Sequence, residues 1–161
     1  MRIANTILVK APIDRVWELT ADVESWPSFN STMRRVERLD EGPLRVGSSA
    51  RIKQPAQPAA VWMVNRLDPG RGFSWSTRRM GLIMTGEHLL EPVGDSCRNT
   101  LSIELTGPVS GFLGFLFHGL FLLSLKTENA AFKKMAEQDR GGTRHDGSDT
   151  VERPDLRSTG G

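Results

Sequence analysis

The chain has 161 residues, of which 21 are basic and 19 acidic, so its net charge is only +2. This length suits one domain with a substantial core, and a lone cysteine, Cys97, excludes an intramolecular disulfide framework. The three histidines stand far apart in sequence, so we expect no metal site and no cofactor. A small net charge without a basic, aromatic-interleaved strand argues against a nucleic-acid partner.

The N-terminal part predicts one strand followed by two short helices. Residues 2–10, RIANTILVK, are rich in the β-branched residues typical of strands. Pro12 suits the first position of a helix, and Asp22 can cap a second short helix before Pro27 ends it. Residues at amphipathic helical spacing follow Pro12, and we expect them to be buried: Ile13, Val16, Trp17 and Thr20.

Residues 33–107 alternate strand-like segments with glycine- and proline-containing turns. One of these segments is EGPLRVG at residues 41–47, and the longest is LIMTGEHLLEPV at residues 82–93. Six antiparallel strands in series are expected, which implies a strongly curved meander.

Residues 111–138, GFLGFLFHGLFLLSLKTENAAFKKMAEQ, begin almost entirely apolar and end as a charged helix. Crossing a bilayer takes roughly 20 apolar residues. The apolar run ends at Leu125 and contains His118, so we expect it to be too short to span. Its three glycines favour either close packing or a mobile lid over a pocket. The charged half is expected to place on solvent Lys126, Glu128, Lys133, Lys134 and Glu137.

The ends of the chain give two further expectations. Residues 139–161 are rich in glycine and charge, so we predict a domain over residues 1–138 and a disordered tail over residues 139–161. Near the N-terminus, Asn5, Thr6 and Lys10 interrupt the unbroken apolar stretch that a secretory signal needs. We therefore expect a cytoplasmic protein.

The opening ILVKAPIDRVWELTADVESWPSF, residues 7–29, resembles the START-like (SRPBCC) superfamily, and in particular its polyketide cyclase/dehydrase and lipid-transport family. The resemblance continues through VNRLDPGRGFSW at residues 64–75 and TGPVSGFLGFLF at residues 106–117. It implies an α+β helix-grip fold, in which a curved seven-stranded antiparallel sheet wraps around a long C-terminal helix. It also implies a ligand cavity between the sheet and that helix.

Given such a cavity, candidate site residues follow from strand alternation and apolar character. His88 shares one face of its strand with Met84 and is the leading titratable candidate, with His118 second. Spacing identifies a partner for neither, so the catalytic residues stay unassigned. The helix residues Phe112, Phe115, Leu116, Leu120 and Leu123 can face the sheet. The expected ligand-binding set is Trp62, Phe73, Trp75, Met84, His88, Phe112, Leu116, Phe117 and Leu120.

Three classes of function remain open. Binding or transport of a hydrophobic small molecule, such as a lipid, quinone or polyketide-like compound, ranks first because it needs only the cavity. A cyclase or aromatase-like enzyme is the alternative, although the chain has no tyrosine to polarise a carbonyl. The third is a protein that contacts a membrane transiently, or a partner, through the apolar helix start and its arginines. These arginines are Arg34, Arg35, Arg38, Arg78 and Arg79. The sequence leaves the oligomeric state undefined.

Overall fold

The computed structural model describes residues 1–55, 57–79 and 81–138. The predicted tail, residues 139–161, lies outside the described residues. In chain order the elements are β1 (Arg2–Val9), α1 (Ile13–Ala21), a 3₁₀ helix (Val23–Ser28), β2 (Arg35–Arg38), β3 (Ser49–Lys53), β4 (Ala60–Asp68), β5 (Gly72–Arg79), β6 (Leu82–Val93), β7 (Ser96–Thr106) and α2 (Ser110–Gln138).

The seven strands form one antiparallel sheet in the order β1-β7-β6-β5-β4-β3-β2. Strands β2 to β7 follow one another as the predicted meander, while β1 pairs with β7, so that Ile3 lies opposite Ile103. A register shift between Val64 and Arg66 in β4 strengthens the local bend, as β-bulges do. The predicted α+β helix-grip class, with two short helices after the first strand, is confirmed.

The expected strand at residues 41–47 is wrong, because these residues form a loop between β2 and β3. Gly42 and Gly47 adopt φ angles of 83° and 90°, which break the extended backbone that a strand requires. The Asp40 carboxylate fixes the loop by accepting hydrogen bonds of 2.9 Å from Ser49 N and 2.8 Å from Ser48 Oγ. These hydrogen bonds, with a further contribution from Arg38, lower the pKa of Asp40 to about 2.

The core lies between the concave face of the sheet and the helices. The side chain of Trp26, from the 3₁₀ helix, is fully buried, as are Phe73 of β5 and Phe132 of α2. The Trp26 ring centroid lies 5.5 Å from that of Phe132 and 6.3 Å from that of Phe73. Trp17 of α1, which its spacing places on the buried face of the helix, packs against this core and is partly buried.

The C-terminal half of α2 is fixed to the sheet by a buried amide network. Asn129 Nδ2 donates to the backbone oxygen of Asn5 at 3.0 Å and to Asn5 Oδ1 at 2.9 Å. Asn99 Nδ2 of β7 donates to Asn129 Oδ1 at 2.9 Å. One turn later Phe132 enters the aromatic core. This half of α2 is therefore an integral part of the domain.

The sequence allows the N-terminal half of α2 to face the sheet, but in the structure it does not. Its large apolar side chains are exposed by 69% at Phe112, 82% at Phe115, 58% at Leu116, 42% at Phe117, 59% at Leu120 and 62% at Leu123. Gly114 is the buried residue of this half, and a Cβ placed there would lie 2.3 Å from Met1 Sδ. Only a narrow strip of this half therefore meets the rest of the domain.

By length and composition, α2 is the one helix within the described residues that could cross a membrane. Its most apolar 18-residue window has a mean hydropathy of 1.3 and is only 6% buried. The packing of Asn129 and Phe132 shows that the helix continues into the domain. The cytoplasmic location stays a prediction.

Candidate functional site

A cleft of about 410 Å³ opens on the concave face where β5 ends and β6 begins. This volume falls within the range of ~300–1,000 Å³ that is common for small-molecule sites. Four strands, β3 to β6, and the loop between β3 and β4 line the cleft. Ile52, Trp62 and Met84 are the large apolar residues among its buried or half-buried lining, whereas Arg78 and Arg79 lie exposed at its edge.

Strand alternation and one glycine shape the inner wall of the cleft. Thr77 pairs with Met84, and Trp75 pairs with Gly86, so all four residues line the concave face of β5 and β6. A Cβ at Gly86 would lie 2.9 Å from Trp75 Nε1 and 3.6 Å from the ring of Trp62. Because Gly86 has no side chain, the indoles of Trp62 and Trp75 can pack over it, with their ring centroids 5.7 Å apart.

Behind this wall lies a buried pair of titratable side chains, His88 of β6 and Glu128 of α2. His88 Nε2 and Glu128 Oε1 are 3.8 Å apart, a distance too long for a hydrogen bond. The His88 ring stacks on Phe73 with centroids 5.1 Å apart and approaches Trp26 at 4.9 Å. Within the described part of the chain, His88 Nδ1 has no hydrogen-bond partner.

Burial favours the neutral form of both groups. It lowers the pKa of the His88 imidazole to about 3. It also raises the pKa of the Glu128 carboxyl to about 7, although the neighbouring Thr32 and Asn30 side chains favour the ionised carboxylate. Near pH 7 the pair therefore holds a neutral imidazole and a carboxyl group that can both donate and accept a proton.

The predicted site residues fall into three groups. Trp62 and Met84 line the cleft. Phe73, Trp75 and His88 lie behind it in the core. The α2 residues, Phe112, Leu116, Phe117, Leu120 and His118, are exposed, and none of them lies along this cleft. A ligand contact through the α2 group stays a prediction.

Trp75 separates the cleft from the His88–Glu128 pair. Its ring centroid lies 5.7 Å from that of Trp62 on one side and 6.4 Å from that of His88 on the other. The side chain of Trp75 is 4% exposed, so the indole is held firmly in this position by its neighbours. A molecule in the cleft thus contacts Trp62 first and reaches His88 only if Trp75 moves.

Glu128 was placed on solvent by the sequence pattern, and the structure shows that this expectation is wrong. Its side chain is buried, on the same face of α2 as Phe132 and Ala136. Glu128, Phe132 and Ala136 follow one another at intervals of four residues, so they share one face of the helix. Because glutamate is rarely fully buried, the sequence favours exposure at this position.

The chain belongs to the family described as polyketide cyclase/dehydrase and lipid transport, whose model matches residues 1–137. A protein of Streptomyces halstedii named "Putative polyketide cyclase" is 34% identical over 76 residues, which is 47% of this chain. The chain spans 59% of the length of that relative.

Solved structures show the same fold at low sequence identity. The Zhui aromatase/cyclase from Streptomyces sp. R1128 is similar with a TM-score of 0.71 and 20% identity, over 89% of this chain and 98% of that one. A START superfamily protein from Mycobacterium smegmatis is similar with a TM-score of 0.66 and 18% identity, over 85% of this chain and 97% of that one. At these identities the two structures show that the fold is shared.

Proposed function

We propose that this protein binds a hydrophobic, ring-containing small molecule of the polyketide-like class in the cleft of β3 to β6. The observation that carries this proposal is a cleft of about 410 Å³ with Trp62 and Met84 at its base. An indole and a thioether offer large, adaptable apolar contact area. Binding a ligand in this cleft, as a carrier protein would, requires no movement of Trp75.

The edge of the cleft suits a ligand with an anionic or carbonyl-rich end. Arg78 and Arg79 line the cleft, and no carboxylate does so among the described residues. Neither guanidinium makes an ion pair or hydrogen bond with another described residue, so both can bind a ligand oxygen. The preferred ligand is therefore amphipathic, with its apolar body towards Trp62 and its polar end towards the arginines.

Replacement of Trp62 by leucine is expected to weaken binding of the fluorescent probe 1-anilinonaphthalene-8-sulfonate about tenfold, because an aromatic contact is lost. The probe combines a naphthalene body with an anionic sulfonate. We expect saturable binding to the wild-type protein, with a dissociation constant on the order of micromolar, measured by fluorescence titration.

Met63→Leu is the matched control for this titration. Met63 follows Trp62 on β4 but lies on the opposite face and is 53% exposed. This variant should bind the probe as the wild type does, and unfolding curves of both variants establish that they are folded. Equal weakening by the two substitutions, or no saturable binding to the wild type, would contradict the proposal.

The His88–Glu128 pair favours a cyclase reaction as a second candidate function. The ionised carboxylate of Glu128, whose raised pKa makes it the stronger base of the pair, would take a proton from a methylene flanked by two carbonyls. The resulting enolate carbon would form a bond to another carbonyl carbon of the same molecule, and that carbonyl oxygen would take the proton from Glu128. Loss of water would follow, with Glu128 taking the second methylene proton and passing it to the departing hydroxyl. This route requires Trp75 to move aside.

A short poly-β-ketone thioester distinguishes the two candidate functions. Cyclisation faster than in buffer, which Glu128→Gln abolishes while probe binding persists, would support the enzyme. Equal rates with and without the protein, together with normal probe binding, would leave the carrier function as the conclusion. The readout is the ultraviolet absorption of the aromatic product.

A further inference from the structure

The exposed start of α2 is an apolar surface that the proposed ligand cleft does not use. We call it the α2 apolar face, formed by six side chains that are 42–82% exposed: Phe112, Phe115, Leu116, Phe117, Leu120 and Leu123. Between residues 111 and 125 the sequence contains no acidic residue, lysine or arginine, and His118 is its only titratable side chain. A continuous exposed apolar surface of this kind marks an interaction site.

The shape of this face distinguishes between kinds of partner. With 3.6 residues per turn, the exposed side chains from Phe115 through Phe112 to Phe117 cover an arc of about 200° around the helix. A second helix packed against α2 would cover one narrow stripe and leave the remainder in water. A lipid phase surrounds a partly inserted helix on all of its outward sides. The width of the exposed arc therefore favours a lipid surface.

Positive charge lies beside this face. Gly107, at the junction of β7 and α2, packs directly on the turn between β5 and β6, where a Cβ would lie 2.6 Å from the backbone oxygen of Gly81. Because of this contact, Arg78 and Arg79 at the end of β5 lie at the same end of the sheet as the first turn of α2. Neither arginine is engaged by another described residue. Apolar side chains next to unengaged arginines match the anionic headgroups of a membrane surface.

The C-terminal half of α2 determines how deeply the helix can enter a lipid bilayer. Asn129 is hydrogen-bonded to β1 and β7, and Phe132 is buried in the core, so the C-terminal half cannot leave the domain without unfolding it. A helix held in this way can enter one leaflet but cannot cross the bilayer. The cleft between β3 and β6 opens at the same end of the sheet, beside Arg78 and Arg79.

We propose that the protein docks on anionic membranes by inserting the α2 apolar face among the lipids, with Arg78 and Arg79 contacting the headgroups. Docking brings the cleft to the lipid surface, where a hydrophobic ligand can be collected or delivered. This inference concerns the surface that the protein contacts and does not depend on the identity of the ligand in the cleft.

The test is flotation of the full-length protein with vesicles of phosphatidylcholine alone or with about one third phosphatidylglycerol. We expect the wild type to float with the anionic vesicles and far less with the neutral ones. Phe112→Ser with Phe115→Ser should reduce binding to anionic vesicles at least tenfold, since two exposed aromatic side chains lose their burial in lipid. Arg78→Gln with Arg79→Gln should reduce it about tenfold or more at low salt, and less at high salt.

Matched controls lie at exposed positions away from this end of the protein. Leu8→Ser removes an apolar side chain that is 46% exposed on β1, and Lys134→Gln removes a cation from the far half of α2. Both controls should float as the wild type does. Phe112→Ser with Phe115→Ser, and both controls, should bind the naphthalene probe of the cleft normally, because none of these residues lines the cleft. Vesicle binding and probe binding can therefore fail separately.

Two results would overturn the inference. The first is a wild type that stays in solution with both kinds of vesicle. The second is equal loss of flotation in the control variants. In the first case, a wild-type dimer in sedimentation experiments that becomes monomeric in the Phe112→Ser, Phe115→Ser variant would assign the α2 apolar face to a second copy of the chain.

Discussion

Trp26→Ala is expected to destabilise the protein by about 3–5 kcal/mol, a loss large enough to yield mostly insoluble protein. The Trp26 side chain is completely buried, and its ring contacts aromatic residues from both the sheet and α2. Its Nε1 also donates a hydrogen bond of 2.9 Å to the backbone oxygen of Leu19, which ties the 3₁₀ helix to α1. Alanine removes the contacts, leaves a cavity, and leaves that oxygen without its donor.

Urea unfolding measures this loss, and Trp17→Ala provides the control. Trp17 is the same residue type on the adjacent helix but is only partly buried. The loss of stability should therefore be clearly smaller at Trp17, and this variant should be soluble. Similar losses at the two positions would show that Trp26 is not the centre of the core.

Glu128→Gln is expected to stabilise the protein at pH 8 by an amount on the order of 3 kcal/mol. Burial raises the pKa of Glu128 from an ordinary value of 4.5 to about 7. The stability associated with protonated Glu128 is fully present below pH 4.5 and is lost as the pH rises to about 7. Above that pH the wild type carries a buried carboxylate, which a neutral glutamine of similar shape avoids.

His88 has the opposite pH dependence. Burial lowers its pKa from 6.5 to about 3. The stability associated with neutral His88 is therefore fully present above pH 6.5 and is lost as the pH falls towards 3. Between pH 4.5 and 6.5 the two contributions oppose each other, so wild-type stability should change little. Glu128→Gln should gain stability with rising pH across this range, whereas His88→Phe should lose it.

Urea unfolding at pH 4.5, 5.5, 6.5 and 8 separates these profiles. Glu41→Gln, at an exposed position in the loop between β2 and β3, should follow the wild type at each pH. If Glu128→Gln were less stable than the wild type at pH 8, Glu128 would be ionised and paired with a charged His88. That outcome would replace the neutral pair by a buried ion pair and weaken the assignment of Glu128 as the base of the cyclase route.

Local patterns in the sequence were sufficient to predict most of the architecture. Alternating apolar residues and turn signals predicted the meander of strands, and Pro12 with its following apolar stripe predicted α1. Residues 41–47 were misassigned because leucine and valine alternate there as in a strand. Two left-handed glycines and the hydrogen bonds of Asp40 hold that segment in a loop.

The candidate site depended more strongly on contacts between distant parts of the chain. Alternation along β6 predicted that His88 faces the concave side of the sheet, because side chains on a strand point to opposite faces in turn. Its partner Glu128 lies on α2, at a separation of 40 residues. The angle at which α2 rests on β1 and β7 brings the two side chains together, and no local pattern encodes that angle.

The sequence by itself determined that the start of α2 is apolar on all sides, since this property depends only on which residues follow one another. Only the tertiary structure decided that Phe112, Phe115 and Leu116 are exposed while Glu128 is buried. The physical reason is that burial is set by the surfaces that meet. The sheet and the short helices cover the second half of α2, where Asn129 and Phe132 fit them, and leave the first half without a covering surface.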